Sequence, residues 1–288
     1  MKDPHVTAAS SPATLICGRH RLLLDRPLVM GVLNVTPDSF SDGGCFLDPS
    51  AALDHARKMI DDGADIIDIG GESTRPGAAP TPEREELQRV VPLIEKIAAL
   101  GVPVSADTRR PAVMRAAIAA GAAMINDVSA LRSPGALKAV AGAEAPVAVC
   151  LMHMQGEPAT MQQSAVYADV VYEVKQFLAD CAVACEAAGI ARDRIVVDPG
   201  FGFGKTVEHN LTLLRRLSEI VALDYPVLVG LSRKSTIGAL TARDIGERTA
   251  GSIAAALAAV ARGAKIVRAH DVGETVDALK VWCAALDK

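Results

Sequence analysis

Short apolar runs recur along this chain and alternate with longer segments whose apolar positions repeat at helical spacing. Such alternation predicts strands joined by amphipathic helices. The strands are LVMGVLNV, ending near Val35, then DIIDIG, VPVSADT, MINDVS, PVAVCLMHM, IVVDPG, PVLVGLS and KIVRAHDV. The first helix is expected from about Ser50 to Asp62, with Gly63 as its C-cap. A second opens at Thr81-Pro82, where proline suits the first helical position, and Pro92 is expected to kink it. RPAVMRAAIAAG, a short stretch over 134 to 141 and a segment from about Val166 to Ala188 supply the next three, and helical segments follow each remaining strand. Strands joined by crossover helices must be parallel. Eight such units predict an α/β fold, a single (β/α)8 TIM barrel. Upstream, TLICGRHRLLL reads as two short strands about a Gly-Arg-His turn, an N-terminal hairpin closing the barrel floor. Residues 1 to 14, rich in Pro, Ser and Ala, are expected to be disordered, and 15 to 288 form one domain with no linker-like break.

Most of these strands end in polar residues that a packed core does not explain: Asn34, Glu72 with Arg75, Asp107, Asn126, His153, Asp198, Lys234, and Arg268 with His270. In barrels of this kind the loops at the C-terminal strand ends carry the chemistry. Composition narrows the class of ligand. Half the residues are hydrophobic but only 3% are aromatic, so the core is aliphatic. A net charge of -4 argues against a nucleic-acid or anionic-membrane partner, so any anion is bound locally. No apolar run is long enough to span a membrane and no secretory leader is evident. The six cysteines form no CxxC pair and read as reduced, and a cytoplasmic location is expected.

NVTPDSFSDGG, residues 34 to 44, is dense in turn formers and reads as a mobile lid or an ordinary surface loop. ESTRPGA, residues 72 to 78, places Arg75 in a second such loop, as a working cation or a solvated charge. GFGFGKT, residues 200 to 206, has three residues between Gly200 and Gly204 where a P-loop needs four, so it is read as a flexible loop with Phe201 and Phe203 as covers for a flat ligand. Asp198 at a buried strand tip needs either a cation, for which Lys234 is the natural candidate, or a ligand with donors. Arg268 and His270 alternate along one strand and share a face, where with Asn34 they would hold an anion.

NVTPDSFSDGG, GGESTRPGA, VSADTRRP, INDVSAL, LMHMQGEPATMQ, VVDPGFGFGKT, VGLSRKSTIG and RAHDV together resemble the successive motifs of the dihydropteroate synthase family, in order from residue 34 to 272. Ala106 and Ala269 depart from the family pattern beside functional positions and leave those positions in place. The resemblance implies a transferase that condenses 4-aminobenzoate with 6-hydroxymethyl-7,8-dihydropterin diphosphate on an SN1-like path. It implies Asp107, Arg75, Arg268 and Lys234 as catalytic residues. Thr74, Asn126, Asp198, Phe203, Ser232 and His270 would join them in binding substrate, Phe40, Asp42 and Pro76 would sit on the lid loops, and Asn34 would ligate Mg²⁺. A homodimer through helices late in the barrel is also implied; the Ala-rich segment 248 to 262 suits that contact and equally suits packing on the barrel. Three other functions share parts of the pattern: a methyltetrahydrofolate-binding methyltransferase, a Schiff-base aldolase using Lys234, and a non-catalytic pterin-binding paralogue.

Overall fold

The computed structural model describes residues 14–36, 49–73, 80–156, 161 and 165–286. Strand β1 (Thr14–Cys17) pairs antiparallel with β2 (His20–Leu23), so Thr14, expected in the loose segment, opens the hairpin. The barrel strands are β3 (Leu28–Asn34), β4 (Ile66–Gly70), β5 (Val104–Asp107), β6 (Met124–Asp127), β7 (Ala148–Met152), β8 (Ile195–Asp198), β9 (Leu228–Val229) and β10 (Ile266–Ala269). They form one parallel sheet in the order β8-β7-β6-β5-β4-β3-β10-β9. A parallel bridge between Val197 and Val227 closes the ring.

The crossover helices are α1 (Pro49–Asp61), α2 (Glu83–Ala98), α3 (Pro111–Ala119), α4 (Ala136–Ala141) and α5 (Val170–Ala187). Two pairs follow β8 and β9, α6 (Val207–Arg215) with α7 (Leu217–Val221) and α8 (Ser235–Thr241) with α9 (Thr249–Val260), before α10 (Val272–Ala285) ends the fold. Helix α2 runs through Pro92 without ending there. Helix α5 begins at Val170, later than expected, because the Asp169 carboxylate caps it by accepting from Val171 N at 2.9 Å and Tyr172 N at 3.1 Å. No helix among the described residues is long and apolar enough to cross a membrane. The five cysteines among the described residues are free.

Side-chain parity along the strands positions the site. Leu28, Met30, Ile66, Met124, Ala148, Cys150, Val196, Leu228 and Ile266 gather with Leu15, Cys17 and Leu24 of the hairpin region in one buried cluster. The alternate residues, among them Val29, Ile67, Ile125, Val149, Val197 and Val267, join the larger core under the helices. The barrel interior is therefore dry at the N-terminal ends of its strands, where β1 plugs it. Cys17 Sγ lies 3.4 Å from Ala123 O, and Gly18 N donates to Pro146 O at 3.1 Å. Two residues further along the same inward parity come Asp68, Asn126, Asp198 and Arg268, with Ser105 opposite Asp68 in the ladder. The interior thus turns polar at its C-terminal end.

Candidate active site

Over that polar layer lies a cavity of about 360 Å³ lined by Asn34, Asp107, Phe203, Ser232, Lys234, Arg268 and His270 from the expected set. Thr36, Glu72, Ser73, Met161, Gly202, Arg233, Ser235, Ile245 and Arg248 complete the wall. Asn126 and Asp198 stand at the same level of their strands, both buried. Thr74, Arg75, Pro76, Phe40 and Asp42 lie outside the described residues.

Arg268 is held between two carboxylates. Its Nε donates to Asp68 Oδ2 at 2.6 Å and its Nη2 to Asp107 Oδ2 at 2.9 Å. Asn126 Nδ2 also donates to Asp68 Oδ2, at 3.1 Å. Burial works against the Arg268 charge, yet the two aspartates hold it firmly protonated. Two acids share one guanidinium, and burial pushes the Asp107 carboxyl up to about 7, helped by the neighbouring Asp68 charge and opposed by Arg268. The three residues of the expected anion site, Asn34, Arg268 and His270, all line this cavity, and the Arg268 guanidinium is also bonded to the two carboxylates.

Asp198 is 6% exposed and has no ion pair within the described residues. Its Oδ1 accepts from Gly200 N at 2.7 Å. Burial raises its carboxyl, while Lys234 and the Gly200 N–H pull it back. The Lys234 ammonium does not bond to it. It donates instead to Phe201 O and lies 4.6 Å from the Phe203 ring centroid. Burial pushes Lys234 down to about 8 against the attraction of Asp198. A buried carboxylate and amide at the strand ends thus lie below a cavity wall that carries an ammonium and an aromatic face.

At the rim, Ser232 Oγ accepts from His270 N at 3.2 Å and lies 3.0 Å from His270 Nδ1. Arg233, in the left-handed region at φ 57°, is fixed by Asp271 at 2.6 Å and by Ser252 Oγ, which accepts from its backbone N at 2.9 Å. Among the described residues no three His, Cys, Asp or Glu side chains converge as a metal cage. The Asn34 amide oxygen is a hard donor at the cavity wall, which suits Mg²⁺ only when substrate oxygens and water complete the shell.

Three expectations need correction. His153 does not face the cavity; parity turns it outward from Met152, and it packs edge-on to Phe177 at 4.9 Å with its Nδ1 2.9 Å from Lys205 Nζ. Glu72 keeps its expected place on the cavity wall, held there by Arg110 at 2.7 Å, Arg109 at 3.3 Å and the Thr81 N–H on its carboxylate. Phe201 is 1% exposed and belongs to the core, leaving Phe203 as the aromatic wall. The loop after β8 is tied down by hydrogen bonds from Lys205 to Gly200 O and Phe203 O and from Asn210 to its backbone. Asp68 belongs to the polar layer without having been among the expected residues. Its signal was available: in DIIDIG, Asp68 falls on the inward parity of an otherwise apolar strand.

The geometry is that of a barrel with a polar, partly enclosed cavity at the C-terminal ends of its strands. Residues 30–270 match the model of the pterin-binding enzymes, and the chain belongs to that family. Within the family it is similar to a dihydropteroate synthase of Neisseria meningitidis serogroup C, 54% identical over 269 residues that span 92% of this chain and 95% of that one. The Xanthomonas albilineans dihydropteroate synthase with 4-aminobenzoic acid superposes with a TM-score of 0.89 at 53% identity, covering 96% of this chain and 99% of its own. The Burkholderia cenocepacia dihydropteroate synthase complexed with 7,8-dihydropteroate does so at 0.87 and 52%, covering 96% and 97%.

Proposed function

We propose that this barrel condenses 4-aminobenzoate with 6-hydroxymethyl-7,8-dihydropterin diphosphate, releasing pyrophosphate and forming 7,8-dihydropteroate in folate biosynthesis. The observation that carries this is Asp198, a buried carboxylate at the inward end of its strand that takes one hydrogen bond from Gly200 N and has no ion pair among the described residues. A pterin offers its amino group and a ring N–H as parallel donors, and a carboxylate accepts both in a charge-assisted pair. Asn126 meets the remaining ring edge with a donor and an acceptor, Lys234 donates to the carbonyl side, and Phe203 covers the face. The relatives' 4-aminobenzoate and dihydropteroate complexes support the same pair of small molecules.

The reaction breaks the bond between the pterin methylene and the diphosphate oxygen, and the electron pair leaves with pyrophosphate. On an SN1-like path the methylene carbon turns cationic in conjugation with the ring. Asp107 faces that charge, while Arg268, pinned by Asp68, keeps the two carboxylates from repelling one another. The amine of 4-aminobenzoate then forms the new C–N bond and gives up a proton. Ser232 and His270 receive the anionic end of the substrates at the rim. Asn34 would hold Mg²⁺ together with the diphosphate, where the ion would neutralise the leaving charge. Thr74, Arg75, Pro76, Phe40 and Asp42 would come from the two loops that complete the aminobenzoate pocket. A cytoplasmic homodimer is the assembly expected of such an enzyme.

A coupled assay for pyrophosphate tests this. Release should require the dihydropterin diphosphate and 4-aminobenzoate together and fall away when Mg²⁺ is chelated. Release that ignores 4-aminobenzoate would make the protein a pterin diphosphate hydrolase. Binding without release would make it a pterin-binding paralogue.

A further inference from the structure

Lys205 is a buried amine for which the condensation has no use. Its residue is 3% exposed, yet its Nζ lies 2.9 Å from His153 Nδ1, 2.9 Å from Gly200 O, 3.1 Å from Phe203 O and 3.3 Å from His153 O. Burial pulls its pKa well below the ordinary lysine value, and Asp198 pulls it back up. Burial likewise lowers His153 to about 3, so its imidazole is neutral, and Nδ1 accepts from the amine in the tautomer that carries the ring proton on Nε2. Acceptors from two segments, the end of β7 and the loop after β8, therefore converge on one side chain.

That loop has little shape of its own. Gly200, Gly202 and Gly204 take φ of 68°, 82° and 63°, which leaves the unconstrained segment a wide choice of conformations. Its path is also tight, since a Cβ on Gly200 would come within 1.9 Å of His153 O. While the Gly200 and Phe203 carbonyls turn in to Lys205, the other face of the loop meets the site. Gly200 N donates to Asp198, Phe201 O accepts from Lys234, and the Phe203 ring lies under the Lys234 ammonium.

We propose that Lys205 is a positioning residue for the pterin side of the site: by clamping Gly200 and Phe203 to His153, it sets where the loop places the Asp198 carboxylate and the Lys234 ammonium. The proposal rests on the functional reading above for the identity of the ligand, but its geometry stands without it. Asn210 supports the same loop from α6, its Oδ1 accepting from Gly202 N at 2.8 Å, but it touches neither Asp198 nor Lys234 through that bond. Lys205 is bonded to Gly200, whose N–H reaches Asp198, and to Phe203, whose ring faces Lys234.

The test compares the full-length protein with Lys205→Met, which keeps the stem and removes the hydrogen-bonding head, and with Lys205→Ala. By calorimetry, affinity for 6-hydroxymethylpterin should fall about tenfold or more in both variants, while the KM for 4-aminobenzoate stays within about threefold. Amide exchange in the ligand-free variants should quicken over residues 199 to 206 and 232 to 235, with β3 to β6 at wild-type rates. Pterin affinity within about twofold of wild type, with local exchange unchanged, would overturn the role. So would exchange that rises throughout the barrel with both substrates weakened alike, or failure of both variants to fold, because Lys205 would then serve stability alone. If the wild-type protein itself binds no pterin, the functional reading falls, and the exchange pattern in the free protein still decides the positioning role.

Discussion

Asp107 answers to function more than to stability. It shares Arg268 with Asp68, and one Asp68 oxygen is buried with no hydrogen-bond partner among the described residues, so this acid pair carries more negative charge than its surroundings compensate. Because the folded Asp107 carboxyl keeps its proton up to about pH 7 while an unfolded aspartate loses it near 3.8, the folded state binds more protons across that window, and stability falls as pH rises through it. Asp107→Asn removes that dependence. Between pH 5 and pH 8 the variant should gain stability relative to wild type, on the order of 1 kcal/mol, while pyrophosphate release drops sharply. Denaturant unfolding at several pH values measures the first and the coupled assay the second. A variant whose deficit widens toward pH 8 would show that Asp107 is a stabilising ion-pair partner instead. Residue parity also explains what could be read in advance. Asp107, Asn126, Asp198 and Arg268 stand out because each sits on the inward register at a strand end. His153 looks like one of them only until it is counted from Met152, which puts it on the other face.

At the scale of elements, the strands and their crossovers are legible because period-two and helical repeats reflect which face is buried. Boundaries moved where a side chain intervened, as when Asp169 capped α5. The loop after β8 was misread as flexible because nothing local in GFGFGKT announces that Lys205 will reach back to His153, more than fifty positions upstream. The two segments proposed to complete the site follow β3 and β4 in the sequence, and Arg75 belongs to the second. On the proposed function, a cation in that segment acts on charge that develops as the diphosphate departs. Arg75→Ala should therefore leave affinity for the pterin ring within about threefold and lower kcat about 100-fold. Fluorescence titration and steady-state kinetics on the same variant separate the two effects. Collapse of pterin affinity would place Arg75 in a preformed pocket, and no change in either would make it a solvated charge.

For the whole molecule, the barrel divides its labour along its axis. The hairpin seals the N-terminal end with Leu15 and Cys17, both fully buried, and the polar layer occupies the other end. Leu15→Ala removes packing from the seal without touching the site. It should cost about 2 to 5 kcal/mol in denaturant unfolding while KM for both substrates stays within about twofold. Altered KM values at unchanged stability would mean that the two ends are coupled and that the hairpin helps to shape the pocket. This division was readable in outline, since TLICGRHRLLL announces a hairpin and the polar strand tips announce a mouth. The inner pairing of Arg268 with Asp68 was not, because it depends on how eight strands converge in space.

The reading of this mouth as a pterin pocket depends above all on Asp198. Asp198→Asn keeps the shape and turns one acceptor into a donor that faces a donor on the ring. Losing the charge-assisted pair should cost about 2 to 5 kcal/mol. Calorimetric titration of wild type and variant with 6-hydroxymethylpterin is the direct measurement. Affinity should fall about 30-fold or more, with unfolding free energy preserved. A change of less than about threefold would remove Asp198 from the site and contradict the pterin pocket built around it.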